Sequence, residues 1–381
     1  LNAPPAASAR FHFVDQLRGW AVLVMIETHV LNALLLPAIK EEFPFKILTF
    51  VNGLVAPSFL FCAGFAFAIT MRKKWDDLTG FRPPLWKSVG RLLAILVVAY
   101  CLHIPVFSLR GMMALTDQRS WMVLFQSDIL HVIALTLLWS LLLVVALRNR
   151  NVVVAATGFV FLAVVFLAPF IRELDYSTTA VWLRPYFTMQ YRSQFPLVPW
   201  SAFLLGGILI GHGYLAARDR GTAERFMHRV GMLAAGAIGV SLLVEWQPVT
   251  LFASHDFWKA SPEFFFVRFG IVGLALYGLW RQEQRGAFSA NSPLALFGQE
   301  SLLVYVAHLL IVYGYTFEFS FIKLWGPTLG YAESLGLTAA LILGMYALAY
   351  GWRRLKSWNR QAATVAELGV VLATVLTFVL K

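Results

Sequence analysis

Apolar runs of about twenty residues follow one another along almost the whole chain, and a run of that length is what a helix needs to cross the hydrocarbon core of a bilayer. Eleven such runs lie at roughly 19–39, 47–70, 89–109, 126–147, 152–170, 197–217, 230–247, 263–280, 299–317, 334–352 and 363–380. Only 13% of the 381 residues are charged, against roughly 25% in soluble domains, and the mean hydropathy is +0.70. The ten-residue alternating segments of a membrane β-barrel are missing. The expected fold is an all-α, polytopic membrane helical bundle of about eleven transmembrane helices.

The charges that remain fall in alternate loops. Arg10 and Arg18 precede the first run, Arg72, Lys73, Lys74, Arg82 and Lys87 follow the second, Arg218, Arg220, Arg225 and Arg229 follow the sixth, and Arg353, Arg354, Lys356 and Arg360 follow the tenth. The intervening loops carry more balanced charge, including Glu41, Glu42, Glu173, Asp175 and Glu333. By the positive-inside rule this pattern predicts a cytoplasmic N-terminus and an outside C-terminus. It also accounts for the net charge of +11 without a nucleic-acid partner. Cys62 and Cys101 lie in apolar runs and read as core thiols; no metal is expected.

Three segments are expected: a Pro/Ala-rich mobile leader over 1–12, a transmembrane bundle over 13–352, and a cytoplasmic basic linker with a peripheral transmembrane helix over 353–381. No internal repeat is evident, which argues against a transporter built from inverted repeats. The scattered intramembrane His, Asp and Glu residues are what would favour a transporter.

The first run carries the most telling groups. Arg18 and His29 are eleven residues apart, almost three whole turns, so they share one helix face and lie about 16 Å apart along its axis. Ionisable groups near mid-membrane are costly and mark functional sites by default. His29 suits a general base, whereas a core histidine bonded to its neighbours is the plainer reading. Glu27 points roughly to the opposite side of the helix, is a poor partner for His29 within it, and could pair with another span. Asp128 and His131, three residues apart, can touch: Asp128 serves equally as a helix N-cap or as the group that orients an imidazole. Ser301, Tyr305 and His308 form an inward stripe, by interhelical hydrogen bonding or by catalysis. His103, Glu245 and Arg268 are further intramembrane candidates. Arg192, just before Pro196 and Pro199, can hold an anionic group at a kinked helix start or serve as an interfacial anchor.

Several stretches together resemble the transmembrane acyltransferases, and in particular the bacterial relatives of the heparan-α-glucosaminide N-acetyltransferase group. They are Asp15-x-x-Arg18-Gly19 with His29 eleven residues beyond the arginine, Ala56-Pro57-Ser58-Phe59-Leu60-Phe61-x-x-Gly64, Phe195-Pro196-Leu197-Val198-Pro199-Trp200 with Gly206, Gly207 and Gly211, and Gly298-x-x-Ser301-Leu302-x-x-Tyr305-x-x-His308. The resemblance implies an enzyme of the bacterial inner membrane that takes an acyl group from cytoplasmic acyl-CoA and passes it to an acceptor at the opposite face. Acetyl and a carbohydrate are the choices by analogy. It implies His29 as catalytic residue, with Asp128, His131 and His308 as candidate partners in catalysis. The cations Arg18, Arg72, Lys73 and Lys74 are the candidate contacts for the CoA phosphates. Asn52, Arg192 and Tyr305 are candidates for substrate binding, and Tyr305, Asn52 or His131 for oxyanion donation. Heparan-type members often carry further polar residues just before the Pro-x-Phe-x-Phe stretch. Here that stretch reads Val51-Asn52-Gly53-Leu54-Val55, without carboxylate or histidine. The alternative is therefore a non-catalytic subunit of a larger membrane complex that keeps the fold. Membrane lipid is an expected partner in either case, and a homo-oligomer is the other assembly to test.

Overall fold

The structure is a computed structural model, and it describes residues 11–247, 261–288, 292–314 and 319–381. The main helices are α1 (His12–Leu34), α2 (Phe43–Asn52), α3 (Val55–Lys73), α4 (Pro83–Leu102), α5 (Ile129–Leu147), α6 (Arg150–Glu173), α7 (Leu197–Asp219), α8 (Ala223–Glu245), α9 (Pro262–Gln284), α10 (Pro293–Gln299), α11 (Ser301–Tyr313), α12 (Tyr331–Trp358) and α13 (Arg360–Leu380). No strand occurs among the described residues; the closest feature is one isolated bridge between Leu35 and Leu329. The chain is an all-α polytopic helical bundle.

Nine stretches among the described residues are long and apolar enough to cross a membrane, with α2 and α3 together forming one of them, Phe43–Lys73. A tenth arises if α10 and α11, bent by 86° at Glu300, count as one span. The expected first span corresponds to α1, which is long enough at 23 residues but is not among the nine. Asp15, Arg18, Glu27 and His29 all lie within it and lower its apolarity. The expected 299–317 run is shortened by the bend at Glu300 and by the end of α11 at Tyr313, and 315–318 lie outside the described residues. The leader over 1–12 also lies outside them, except for Phe11 and His12.

The described chain separates into two compact units. The first takes the described residues of Leu1–Val55, Ala275–Tyr313 and Phe319–Trp358. At its centre α1 packs on α10, α11 and α12. Gly19 makes the approach to α10 so close that a Cβ there would run into the Leu294 carbonyl, and a Cβ on Gly298 would run into the Asp15 carbonyl. The free N–H groups that open α1 are taken up by a carboxylate from far along the chain: Phe13 N–H donates to Glu283 Oε2 at 2.7 Å and His12 N–H to Oε1 at 3.3 Å. A negative charge at a helix N-terminus also complements the helix dipole. Past its other end, Leu36 N–H donates to the Leu329 carbonyl and Leu329 N–H to that of Leu34, while Leu31, Leu35 and Phe45 form a small apolar core.

The second unit takes the described residues of Ala56–Leu274, Gly314–Glu318 and Asn359–Lys381. There the Ala56–Gly64 stretch of α3 lies against α7. A Cβ on Gly64 would meet the Leu204 carbonyl, and one on Gly207 would meet that of Phe61. Small residues that let two backbones touch are the usual device for joining helices in lipid, where apolar side chains gain little by meeting each other. A ring cluster fills the space beside this crossing, with Phe203 and Phe265 centroids 4.4 Å apart and Phe61 and Phe269 6.0 Å apart. Within α13 only Ala363 is buried; its Phe378 reaches the Phe107 ring at 5.6 Å.

Candidate active site

In the first unit, α1 and α11 bring His29, His308 and Tyr313 together. The His29 and His308 rings lie 5.1 Å apart at 50°, and the His29 and Tyr313 rings lie 5.6 Å apart, edge to face at 88°. His29 Nδ1 is 3.1 Å from the Tyr313 hydroxyl. Among the described residues His29 makes no other hydrogen bond, none of them reaching its Nε2, and the residue is half-buried. His308 shares this pattern, one ring nitrogen held and the other open, and differs in its burial and in the partner of its Nδ1. It is fully buried, its Nδ1–H donates to the Val304 carbonyl one turn back at 2.8 Å, and its Nε2 has no hydrogen-bond partner. Tyr305 lies edge to face with His308 at 5.9 Å. Tyr313 escapes the sequence reading because it is off the Ser301, Tyr305, His308 stripe. Its position as the last residue of α11, before Gly314 at φ 61°, gives no sign of a polar partner.

Glu27 finds the interhelical partner it needs. With the Asn52 amide oriented to satisfy both groups, its nitrogen donates to Glu27 Oε2 at 3.0 Å and also faces the Leu48 carbonyl at 3.2 Å. The other Glu27 oxygen is buried without a partner. The second span has no carboxylate of its own, but Asn52 is bonded to one from α1. Arg18 is half-buried and donates from Nη1 to the Gly298 carbonyl at 3.3 Å, two residues before the bend at Glu300. Just past that carbonyl, Lys356 grips both oxygens of Glu300 at 2.6 and 2.7 Å.

Asp128 and His131 belong to the second unit and form a cluster there with His103. Asp128 is the N-cap of α5, accepting from the N–H groups of Leu130 (2.9 Å) and His131 (3.1 Å). The same carboxylate lies 2.8 Å from His131 Nδ1 and 3.1 Å from His103 Nε2. Asp128 is thus an N-cap whose carboxylate also lies against two imidazoles. Gln126 bonds His103 Nδ1 from the other side. His131 is fully buried, with Nε2 unpartnered and the Tyr100 ring edge-on at 4.5 Å.

Tyr100 in turn shares a 2.6 Å hydrogen bond with Tyr186 of the long 174–196 connection. Burial, and then the Tyr100 hydroxyl, push the Tyr186 phenol above its ordinary range. Ser127 secures the end of the same connection: its hydroxyl donates to the Phe195 carbonyl, and its carbonyl accepts from the N–H groups of Gln194 and Phe195. Sequence spacing could not reveal this network, because His103 and Asp128 are 25 residues apart on different elements.

The remaining candidates are dispersed. Arg72 ion-pairs with Asp219 at the surface. Lys73 and Lys74, at the end of α3, are exposed. Arg192 is exposed in left-handed backbone at φ 62°, four residues before the last residue preceding α7. Arg184 rather than Arg192 is engaged with an aromatic, lying 5.1 Å over the Tyr191 ring. Arg268 stacks on Phe264 at 3.9 Å. Among the described residues no group of three or more His, Cys, Asp or Glu side chains is set to hold a metal ion.

The family model for the catalytic region of heparan-alpha-glucosaminide N-acetyltransferase matches residues 10–244. The chain belongs to this family. Among curated proteins no relative matches it. The matched region begins just before α1 and ends within α8, so it includes His29, Asn52 and the Asp128 cluster. His308 and Tyr313 lie beyond it. Acetyltransferases of the heparan-alpha-glucosaminide type take their acetyl group from acetyl-CoA. The chain is a multi-pass membrane protein of that acetyltransferase family.

Proposed function

We propose that the chain is an integral-membrane acyltransferase, moving an acetyl or related acyl group from cytoplasmic acyl-CoA to a hydroxyl or amine acceptor of carbohydrate type at the opposite face. The observation that carries this reading is the state of His29: half-buried, held at Nδ1 and, among the described residues, without a hydrogen bond at Nε2. An imidazole held through one nitrogen and open at the other is arranged to take a proton. In the reaction, His29 Nε2 removes the acceptor's proton as the acceptor atom bonds to the thioester carbon. The carbon–sulfur bond then breaks, and the imidazolium returns that proton to the departing thiolate. The proton is thus conserved and His29 ends neutral.

Arg18 of the first unit is a proposed contact for CoA phosphates, and Lys73 and Lys74 of the second unit are separate candidates for that role. Arg72 must first give up Asp219, a surface pair worth about 0–1 kcal/mol, to join them. Tyr305 of the first unit is proposed for the acceptor, and Arg192 of the second unit is a separate candidate. Asn52 is proposed to hold Glu27 rather than to donate to an oxyanion, since that carboxylate already takes its amide. The cytoplasmic N-terminus and a bacterial inner-membrane location belong to the same proposal.

The test uses the full chain in nanodiscs with acetyl-CoA as donor and glucosamine as acceptor probe, reading release of the free CoA thiol. The expected result is turnover by the native chain and none by His29→Ala, with both proteins inserted and folded. Full activity in His29→Ala would remove the mechanism. The competing reading, a non-catalytic subunit of a larger membrane complex, is favoured by Asn52 standing where an acid or histidine is expected. Co-purification with other membrane subunits at fixed stoichiometry, without CoA binding, would establish it.

A further inference from the structure

We propose that Tyr313 is the positioning residue for His29, filling with a phenol the place that a carboxylate or carbonyl fills behind most catalytic imidazoles. This rests on the reading of His29 as the base. A neutral imidazole has one N–H and one lone pair. For Nε2 to accept a proton, Nδ1 must carry the hydrogen, and something must accept it. The Tyr313 hydroxyl, 3.1 Å from Nδ1, is the one hydrogen-bond partner His29 has among the described residues. Glu27 is not available for the task, being turned to Asn52 of α2. His308 is not within hydrogen-bond distance either; its Nδ1 is committed to the Val304 carbonyl. The His29 ring is thereby set by two contacts from one helix, the Tyr313 edge and the fully buried His308 ring.

A hydroxyl does this job differently from a carboxylate. It carries no charge, which spares the desolvation cost of an anion at membrane depth. It also rotates, and can donate or accept. In the ground state the Tyr313 O–H can donate to Nδ1, placing the His29 hydrogen on Nε2. In the reactive state the phenol oxygen accepts from Nδ1–H, and Nε2 presents its lone pair. When Nε2 takes the acceptor's proton, the imidazolium keeps its Nδ1–H bond to Tyr313 until the thiolate of CoA removes the added proton. Tyr313 itself neither gains nor loses a proton over the cycle.

The experiment compares the native chain, His29→Ala and Tyr313→Phe, each full length in nanodiscs, with acetyl-CoA and glucosamine as probes. Tyr313→Phe keeps the ring and removes only the hydroxyl. Its expected effect is a fall in kcat of about tenfold, the rate equivalent of one hydrogen bond, with KM for acetyl-CoA unchanged. A purely structural role would not divide kcat from KM in that way. A second measurement does not depend on turnover. With 15N-labelled histidine, the ring resonances lost in His29→Ala shift in Tyr313→Phe while those of His308 stay in place. Native kcat in Tyr313→Phe alongside an inactive His29→Ala overturns this inference and leaves the base assignment standing. Unshifted His29 resonances do the same. A native chain with no turnover, or an active His29→Ala, overturns the base assignment and this inference with it.

Discussion

Gly19 and Gly298 bring α1 and α10 into backbone contact, each standing where a Cβ would strike a carbonyl of the other helix. This gives a steric reason for Gly19 in the Asp15-x-x-Arg18-Gly19 stretch, and the same contact puts the Gly298 carbonyl within reach of Arg18. Gly298→Ala is expected to push the helices apart and destabilise the chain by about 1–3 kcal/mol, the usual cost of overpacking. Thermal unfolding in detergent, read beside Gly236→Ala, checks it. Gly236 has open space around it, so that control should leave Tm unchanged.

Asn52 satisfies one oxygen of Glu27, and the other is already without a partner. Asn52→Leu should therefore cost about 1–3 kcal/mol, since a polar group loses its hydrogen bond away from bulk water. Combining it with Glu27→Leu should recover part of that loss. A double-mutant cycle on unfolding measures the coupling; independent, additive effects would contradict the pair.

Asp128 serves three groups at once: the N-terminus of α5, His131 and His103. Asp128→Ala is expected to lose about 2–5 kcal/mol, a lost cap together with newly unpaired buried donors. Asp128→Asn retains an N-cap acceptor and should lose less. Limited proteolysis of the 174–196 connection is the second readout. Its Tyr186 and Phe195 are fastened beside this cluster, so cleavage there should quicken more in Ala than in Asn.

Glu283 closes α1 from 270 residues away. Glu283→Ala should cost about 0.5–2 kcal/mol, the range for a lost helix cap, and Glu283→Gln less, because an amide oxygen still accepts. Hydrogen exchange at the amides of His12 and Phe13 should rise in both variants, most in Ala.

Much of this was legible in the residues, and the exceptions have physical causes. The long helices followed from apolar runs, since lipid leaves a spanning backbone no other way to satisfy its N–H and C=O groups. Glu27 could be read as able to pair with another span, and Asn52 is the partner found. The His308 stripe pointed inward, and the structure sets that ring against His29. Tyr313 could not be read, since a tyrosine at a helix end is as ordinary at a membrane interface as in a site. Arg72 read as a free cation because its partner, Asp219, is almost 150 residues away. The bend at Glu300 falls at the start of the 299–317 run, and the short helix before it, Pro293–Gln299, lay outside that run except for Gln299.

The polarity of α1 bears on how the protein is made. It is the first described helix to leave the ribosome, and it carries Asp15, Arg18, Glu27 and His29 through a stretch the bilayer would otherwise want apolar. The groups that cover it, α10 to α12 and Glu283, are synthesised some 250 residues later. In a nascent chain α1 is therefore uncovered until α10 to α12 are made. Assembly of the first unit waits on the synthesis of α10 to α12, and a ribosome stalled before Pro293 leaves α1 without its seat.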